Sequence, residues 1–399
     1  MGSAFQLLQS YQPRYLVKAP VMKVLQLVSS SLGFYGTERV VVTLSAALEE
    51  VGVDIVVAAF VNTAKTIHVE VLDHAKSRGL KTECIPCHGR LDRRAIRTLC
   101  DIVERHEIDV IHCHGIKPVL YSVLAARHMN VRLINTCHTW DFQSVKDSFI
   151  SALERCILHA FDRVVVVSDH MIAQLQRFGL RADVVYNGID MQPFSHSSSD
   201  IKHRMNWCGR PVIGAIGRLA PQKGLQYLLR AAPEVLREIP NTLIVLVGDG
   251  PERNALETEA IQLGIERSVC FLGVREDIPE LLSSMDVVVM PSLFEGLPMA
   301  LLEAMASGRA VVASRVGGIP NAIQDRVNGV MLPPGDVSSL TAALCDLLKN
   351  SELRLALGQK ARETVRSHFS AAAMAKRYLE VYPWADHPTE TQCLTHDVH

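Results

Sequence analysis

Short apolar-rich runs alternate along this chain with longer stretches whose apolar positions recur every three or four residues. Val21–Val28 is dense in Val and Leu, the pattern of a strand buried on both faces. A loop with Gly33 and Gly36 follows, and Thr37–Glu50 then has helical spacing. Val53–Phe60 predicts a second strand, and residues from about Thr66 to Arg78 a second helix. Further strands are expected at Lys81–Ile85, Asp109–Cys113, Val131–Thr136, Arg163–Ser168 and Ala182–Tyr186, with helices between them. The rhythm breaks over Met191–Gly209, where Ser195-His196-Ser197-Ser198-Ser199 is polar and has no period. It restarts with strands expected at Pro211–Ile216, Leu243–Val247, Val269–Leu272, Val287–Met290, Ala310–Ala313 and Gly329–Leu332. The chain is helical in pattern from Val337 onward and polar after Trp384.

Strands alternating with helices of ten or more residues imply βαβ units and parallel sheets. The fold class is α/β, with two doubly wound domains. The expected divisions are an N-terminal extension over 1–20, a first domain over 21–190, a linker over 191–209 and a second domain from 210 to about 370. Ligands of such sheets bind beyond the carboxyl ends of the strands, so two facing sheets place two crevices around one cleft. The chemistry is therefore sought on loops that follow strands.

Composition narrows the picture. In 399 residues, 41 Lys and Arg offset 42 Asp and Glu, which argues against a nucleic-acid binder working by bulk charge. No run of eighteen apolar residues predicts a membrane-spanning helix. Met1–Pro20 lacks the pattern of a signal peptide, and Gln6 breaks the myristoylation pattern. Ten Cys without an export signal read as reduced thiols, so the expected location is cytoplasmic.

The most informative segment is Pro291-Ser292-Leu293-Phe294-Glu295-Gly296-Leu297-Pro298, continuing to Leu302-Glu303-Ala304. Pro298 suits the start of a helix, where its missing N–H costs nothing. Glu295 then stands on the loop, Glu303 lies within the helix, and the Gly296 and Leu297 amides face the crevice. Carboxylate acceptors beside backbone donors suit the vicinal hydroxyls of a sugar or ribose. The plainer reading is an acidic helix cap. A second segment, Gly214-Ala215-Ile216-Gly217-Arg218-Leu219 with Pro221-Gln222-Lys223-Gly224, brings two cations to a strand–helix junction. That is a diphosphate site, or else two solvated charges. Gly248-Asp249-Gly250-Pro251 and Val316-Gly317-Gly318-Ile319-Pro320 are glycine-bearing turns that carry no function alone.

Together these segments resemble the retaining glycosyltransferases of family four, over about Met22 to Tyr382. The most specific match is two Glu separated by seven residues, Glu295 and Glu303. The resemblance implies the GT-B fold, with two Rossmann-like domains facing a central cleft and an NDP-sugar held mainly by the second. It implies that Arg218 and Lys223 bind the donor diphosphate and that Glu303 holds the ribose. Glu295, with the Gly296 and Leu297 amides, is implied to hold the transferred sugar. Gly36-Thr37-Glu38 is similar to the family's phosphate-facing glycine loop, though Tyr35 replaces the usual first glycine. Ile111-His112-Cys113-His114-Gly115 resembles its His-x-His strand end, which assigns His114 to the donor sugar. Asn135-Thr136-Cys137-His138 and Tyr186-Asn187-Gly188-Ile189-Asp190 match loops of the cleft, which makes His138 and Asn187 cleft or acceptor candidates. Asn321 departs from the Glu that commonly follows Gly-Gly-x-Pro. A helix over 371–385 is implied to cross back to the first domain, ahead of a flexible tail over 386–399.

The resemblance also implies catalysis with retention, no metal and no cofactor beyond the sugar-nucleotide substrate, and the chain has no Asp-x-Asp pair. The acceptor, a glycan, a lipid-linked saccharide or a small molecule, is left open. The alternatives are a sugar-nucleotide-binding regulator without transfer and a sugar-nucleotide epimerase. Cys84-Ile85-Pro86-Cys87-His88 also fits a haem or redox motif, and His112, His114 and His138 could together bind zinc. Arg90, Arg93, Arg94 and Arg97 share one helical face, either a solvated surface or a contact for anionic membrane at its cytoplasmic side.

Overall fold

A computed structural model of the protein describes residues 21–29, 36–62, 69–89, 91–127, 129–138, 156–195 and 200–382. The expected N-terminal extension, the tail over 386–399, Gly33 and Arg90 lie outside the described residues. The first domain holds β1 (Lys23–Ser29), β2 (Asp54–Val61), β3 (Lys81–Pro86), β4 (Val110–His114), β5 (Arg132–Cys137), β6 (Arg163–Val166) and β7 (Asp183–Val184). They form one parallel sheet in the order β3-β2-β1-β4-β5-β6-β7. Its helices are α1 (Gly36–Glu50), α2 (Glu70–Ser77), α3 (Arg93–His106), α4 (Ile116–Ala126) and α5 (Asp169–Gln176).

The second sheet runs β10-β9-β8-β11-β12-β13, also parallel. Its strands are β8 (Val212–Ile216), β9 (Leu243–Val247), β10 (Val269–Gly273), β11 (Val287–Met290), β12 (Ala310–Ser314) and β13 (Val330–Leu332). Their alternate residues feed two apolar clusters. Ile213, Ile244, Leu246, Val287 and Val289 face one, while Val212, Val245 and Val288 face the other. Burial on both faces is why these segments read as unbroken apolar runs. The connecting helices are α6 (Asp200–Arg204), α7 (Leu225–Glu238), α8 (Arg253–Gln262), α9 (Ile278–Ser284), α10 (Met299–Ala306), α11 (Ile319–Ala322), α12 (Val337–Lys349) and α13 (Ser351–His368). In both sheets the strand order reverses between two central strands, β1 and β4 in the first, β8 and β11 in the second. A crevice opens at such a reversal.

Met191–Gly209 is not structureless. A 3₁₀ turn over Gln192–Phe194 and helix α6 punctuate it, and Phe194, Ile201 and Trp207 are buried. Three anchors this far apart leave no periodicity to read, yet they fasten the segment to the body. Pro298 also sits one residue earlier than expected: it caps α10 in extended conformation, and the helix begins at Met299.

The chain returns to the first domain through α14 (Ala371–Val381). The return passes over Gly188, where the Ile189 amide donates to the Phe369 carbonyl at 2.8 Å and the Ala371 amide to the Ile189 carbonyl at 2.9 Å. A Cβ on Gly188 would lie 2.6 Å from the Ser370 oxygen, so only glycine admits the crossing strand. α14 and the residue after it then place Tyr378 and Tyr382 beneath the carboxyl ends of β1, β4 and β5, both fully buried.

There they close a chain of hydrogen bonds with one consistent direction. The His114 Nε2–H donates to Gln26 Oε1 at 2.7 Å, so the His114 Nδ1 accepts from His138 Nε2 at 2.9 Å. Gln26 Nε2 donates to the Tyr382 hydroxyl at 3.1 Å. That hydroxyl donates to His112 Nδ1 at 3.0 Å, and His112 Nε2–H donates to Thr136 Oγ1 at 2.7 Å. Thr136 in turn meets the Tyr378 hydroxyl at 2.8 Å. Burial pushes the pKa of His112 down to about 3 and that of His138 to about 4, and holds His114 well below 6.5. Burial favours the neutral rings, and both nitrogens of His112 and His114 and Nε2 of His138 are engaged with protein partners. The zinc reading of these three histidines is replaced by this network, and among the described residues no cluster of His, Cys, Asp or Glu is arranged for a metal. Cys87 of the haem-like motif is buried against the Tyr121 hydroxyl at 3.2 Å, while Cys84 is exposed.

Two outcomes follow from the return helix. Tyr382→Phe leaves a buried amide and an imidazole acceptor unpaired, and lowers the unfolding free energy by about 1–3 kcal/mol, measured by urea denaturation. An unchanged midpoint contradicts the network. The pH response has a fixed sign, because the unfolded chain binds protons near pH 6.5, the folded His138 and His112 only at about 4 and about 3, and His114 only well below its usual value. Stability is therefore full above about pH 6.5 and falls as pH drops toward 4. A network ring that titrates by NMR with a midpoint near 6.5 would refute this.

Candidate functional site

The site is built where both sheets reverse. β8 ends at Ile216 and delivers Gly217 and Arg218, and β11 ends at Met290 and delivers the Pro291–Leu297 loop. Gly217 has φ of 148°, and its amide donates to the Val247 carbonyl at 2.9 Å. The Gly248-Asp249-Gly250 turn braces it: a Cβ on Gly248 would fall 2.0 Å from the Gly217 oxygen, and one on Gly250 2.3 Å from the Leu219 oxygen. That turn supports the Arg218 loop. Arg218 itself is exposed.

Gly224, in left-handed conformation, presses against Pro291, where a Cβ would meet the carbonyl oxygen at 2.1 Å. The Leu293 amide donates to the Gln222 carbonyl at 2.8 Å. The two loops are thereby joined, and Lys223 Nζ donates to Glu295 Oε1 at 2.6 Å. Ser292 Oγ donates to the same oxygen at 2.8 Å. Gly217, Arg218, Lys223, Pro291 and Ser292 line one pocket of the cleft.

Behind Glu295 lies the Gly317-Gly318 turn. A Cβ on Gly317 would sit 1.7 Å from the Glu295 oxygen, and the Gly318 amide donates to the Gly296 carbonyl at 2.6 Å. The Leu297 carbonyl accepts from Asn187 Nδ2 at 2.9 Å, a bond from the opposite domain. Asn187 thus spends its amide on bridging the domains. With these carbonyls taken, the Gly296 and Leu297 N–H groups have no acceptor among the described residues.

The first domain supplies the facing wall. Gly36 opens α1, and a Cβ there would lie 3.9 Å from Met299 Cγ at the start of α10. The His138 carbonyl packs on Gly296, 2.6 Å from where a Cβ would stand. His114 is behind His138 and 3% exposed, with both ring nitrogens bonded, so His138 is the ring nearer the cleft. Asn321 faces Asp169 across the interface and donates to its carboxylate at 2.6 Å, and Tyr186 donates to the same oxygen at 3.0 Å. A Glu at 321 would set two carboxylates against each other there, whereas the amide bonds. Burial, then the bond to Asp169, lifts the Tyr186 pKa to about 12.

Glu303 lies one turn into α10 and is 1% exposed. Burial pushes its pKa up, and the Arg39 guanidinium, from the first turn of α1, pulls it back. Arg39 went unread in the sequence, as did Gln26, Ser292, Asp169, Tyr378 and Tyr382. Two signals were available: Gln26 is the lone polar residue inside an apolar strand, and Arg39 is a cation at the positive end of a helix. Arg93, Arg94 and Arg97 are exposed on α3, in the first domain, and do not join the cleft residues.

Comparison with known proteins agrees with this layout. A match to Glycosyltransferase Family 4 covers residues 34–193, and a match to Glycosyl transferases group 1 covers residues 210–350. The chain is 33% identical over 308 residues to a D-inositol 3-phosphate glycosyltransferase of Corynebacterium kroppenstedtii, covering 70% of this chain and 68% of that protein. It is 25% identical over 312 residues to the UDP-Gal:alpha-D-GlcNAc-diphosphoundecaprenol alpha-1,3-galactosyltransferase of Escherichia coli, covering 73% and 79% respectively. Its fold superposes on Anabaena HepE in complex with UDP and glucose with a TM-score of 0.79 at 22% identity, covering 90% of this chain and 99% of that one. Two facing parallel sheets, their rims bearing the paired glutamates and the two cations, and this kinship together place the chain among the family 4 glycosyltransferases of GT-B fold.

Proposed function

We propose that the chain transfers a sugar from a nucleoside-diphosphate sugar to an acceptor hydroxyl with retention of configuration and without a metal. The observation that carries this reading is the meeting of Arg218, Lys223, Glu295 and two unbonded amides at the reversal of the second sheet. Arg218 and Lys223 hold the diphosphate and absorb the charge that develops as it leaves. Their cationic side chains, with the amino ends of nearby helices, stand where a divalent ion would otherwise act. Glu295 and the Gly296 and Leu297 amides take the hydroxyls of the transferred sugar, and Glu303 accepts from the ribose. His114 acts on that sugar through His138, which it orients by the bond between their rings. The acceptor enters from the first domain and attacks on the face from which the diphosphate departs. The leaving phosphate takes the acceptor proton.

Two relatives bear on the substrates. The Escherichia coli protein is named for a UDP-sugar and a diphosphoundecaprenol-linked acceptor. HepE is described with UDP and glucose. They support a nucleotide-sugar donor here and a glycan or lipid-linked acceptor. No helix among the described residues is long and apolar enough to cross a membrane. A lipid-linked acceptor would be met at the surface, and the exposed Arg93, Arg94 and Arg97 of α3 supply a cationic face for anionic lipid on the cytoplasmic side.

Lys223→Ala and Glu295→Ala each lower turnover by roughly 10²–10³-fold with far-ultraviolet dichroism unchanged. Full activity in either variant, with donors identified by thermal shift, rules out the assignment. Chelation by EDTA leaves the rate of the wild type unaltered, and a rate lost to chelator and restored by Mg²⁺ or Mn²⁺ contradicts the metal-free reading. Replacing Arg90, Arg93, Arg94 and Arg97 by Ser releases the protein from phosphatidylglycerol vesicles, and unchanged sedimentation with the vesicles removes the membrane contact.

A further inference from the structure

Arg39 is unassigned by the reading above, yet it occupies the donor cleft. It belongs to the first turn of α1, where the helix end is already positive and a cation is disfavoured. Glu38, its neighbour, offsets part of that cost. The rest is offset by Glu303, on the opposite domain, which Arg39 meets as an ion pair. The pair is incomplete. Glu303 Oε1 is buried and has no donor in hydrogen-bonding alignment, although the guanidinium touches it. A guanidinium matched to a carboxylate in a fork would make aligned bonds. Glu303 is thus a nearly fully buried acceptor held by charge and left short of hydrogen bonds. The Arg39 side chain, by contrast, is 36% exposed, so part of its fork faces the open cleft.

The neighbourhood is built for an anion. A Cβ on Gly36 would reach within 3.9 Å of Met299 Cγ, so the first turns of α1 and α10 lie side by side and two positive helix ends converge. Glu295 is on the loop leading into α10, and its Lys223 partner reaches it from the loop that follows β8. Each carboxylate of the Glu-seven-Glu pattern is paired with one cation: Glu295 with Lys223 and Glu303 with Arg39.

We infer that Arg39 is a donor-binding residue that exchanges partners, leaving Glu303 for the diphosphate when a nucleotide enters and freeing Glu303 to accept from the ribose hydroxyls. The inference rests on the nucleotide-sugar reading and deepens it. The exchange suits both sides. Glu303 trades a misaligned ion pair for hydroxyl donors, and the guanidinium gains an anion for which its fork is shaped. Because Arg39 and Glu303 come from different domains, the exchange also makes donor occupancy felt across the interface.

The test is calorimetric binding of UDP, GDP and ADP, each beside its nucleoside, to wild type, Arg39→Gln, Glu303→Gln and the double variant. Arg39→Gln is expected to weaken the bound diphosphate by about tenfold or more. The matching nucleoside should bind it as well as, or more tightly than, wild type. Should Arg39→Gln fail to fold, the same loss is read between Glu303→Gln and the double variant, in which no unpaired carboxylate remains. Equal diphosphate affinity with and without Arg39 overturns the exchange while leaving the donor reading in place. Parallel weakening of diphosphate and nucleoside also overturns it, since that marks a residue that only shapes the cleft. Failure of the wild type to bind any of the three diphosphates sinks the donor reading and the exchange with it.

Discussion

Backbone-to-backbone contact at Glu295–Gly296 is the constraint on which the cleft depends. Three glycines permit it. Gly317 and Gly318 seat one turn directly on the Glu295 and Gly296 carbonyls, and Gly296 admits the His138 carbonyl from the other domain. Any side chain at these positions would push the segments apart by an ångström or more. With the carbonyls turned to these neighbours, the Gly296 and Leu297 amides have no acceptor among the described residues. Precision of this kind comes from packing that has no adjustable rotamer.

Electrostatics then follow from where that loop is fixed. The cleft brings charges of both signs together: two glutamates of one helix and its leading loop, with Arg39, Arg218 and Lys223 opposite or beside them. Burial of Glu303 pushes its pKa up, and the neighbouring Arg39 pulls it back. Two of these cations, Arg39 and Lys223, are paired with protein carboxylates, so on the proposed reading an entering nucleotide would redistribute existing pairs.

Much of this was legible in the residues. Leu243–Val247 and Val287–Met290 coincide with β9 and β11 to the residue, because strands covered on both faces are apolar throughout. The strand-end loops with Arg218, Lys223 and Glu295 were legible because local motif chemistry and local geometry coincide there. What escaped reading depends on distance along the chain. Tyr382 bonds to Gln26, 356 residues away, and nothing near either residue announces the other. Met191–Gly209 hid its buried Ile201 and Trp207 for the opposite reason, since isolated anchors generate no period. Asn321 read as a departure from a motif, and the cause is visible only across the interface in Asp169.

The return of α14 to the first sheet makes the second domain an insertion within the first. Two covalent strands, one through Gln192–Phe194 and one through Phe369–Ala371, join the bodies side by side at Gly188–Ile189. A double tether of this kind resists torsion between the two bodies. It also orders events during synthesis. The second sheet has all its strands before Tyr378 and Tyr382 leave the ribosome, whereas the first waits for them to fill its buried network. The earlier half of the gene thus encodes the domain that finishes last.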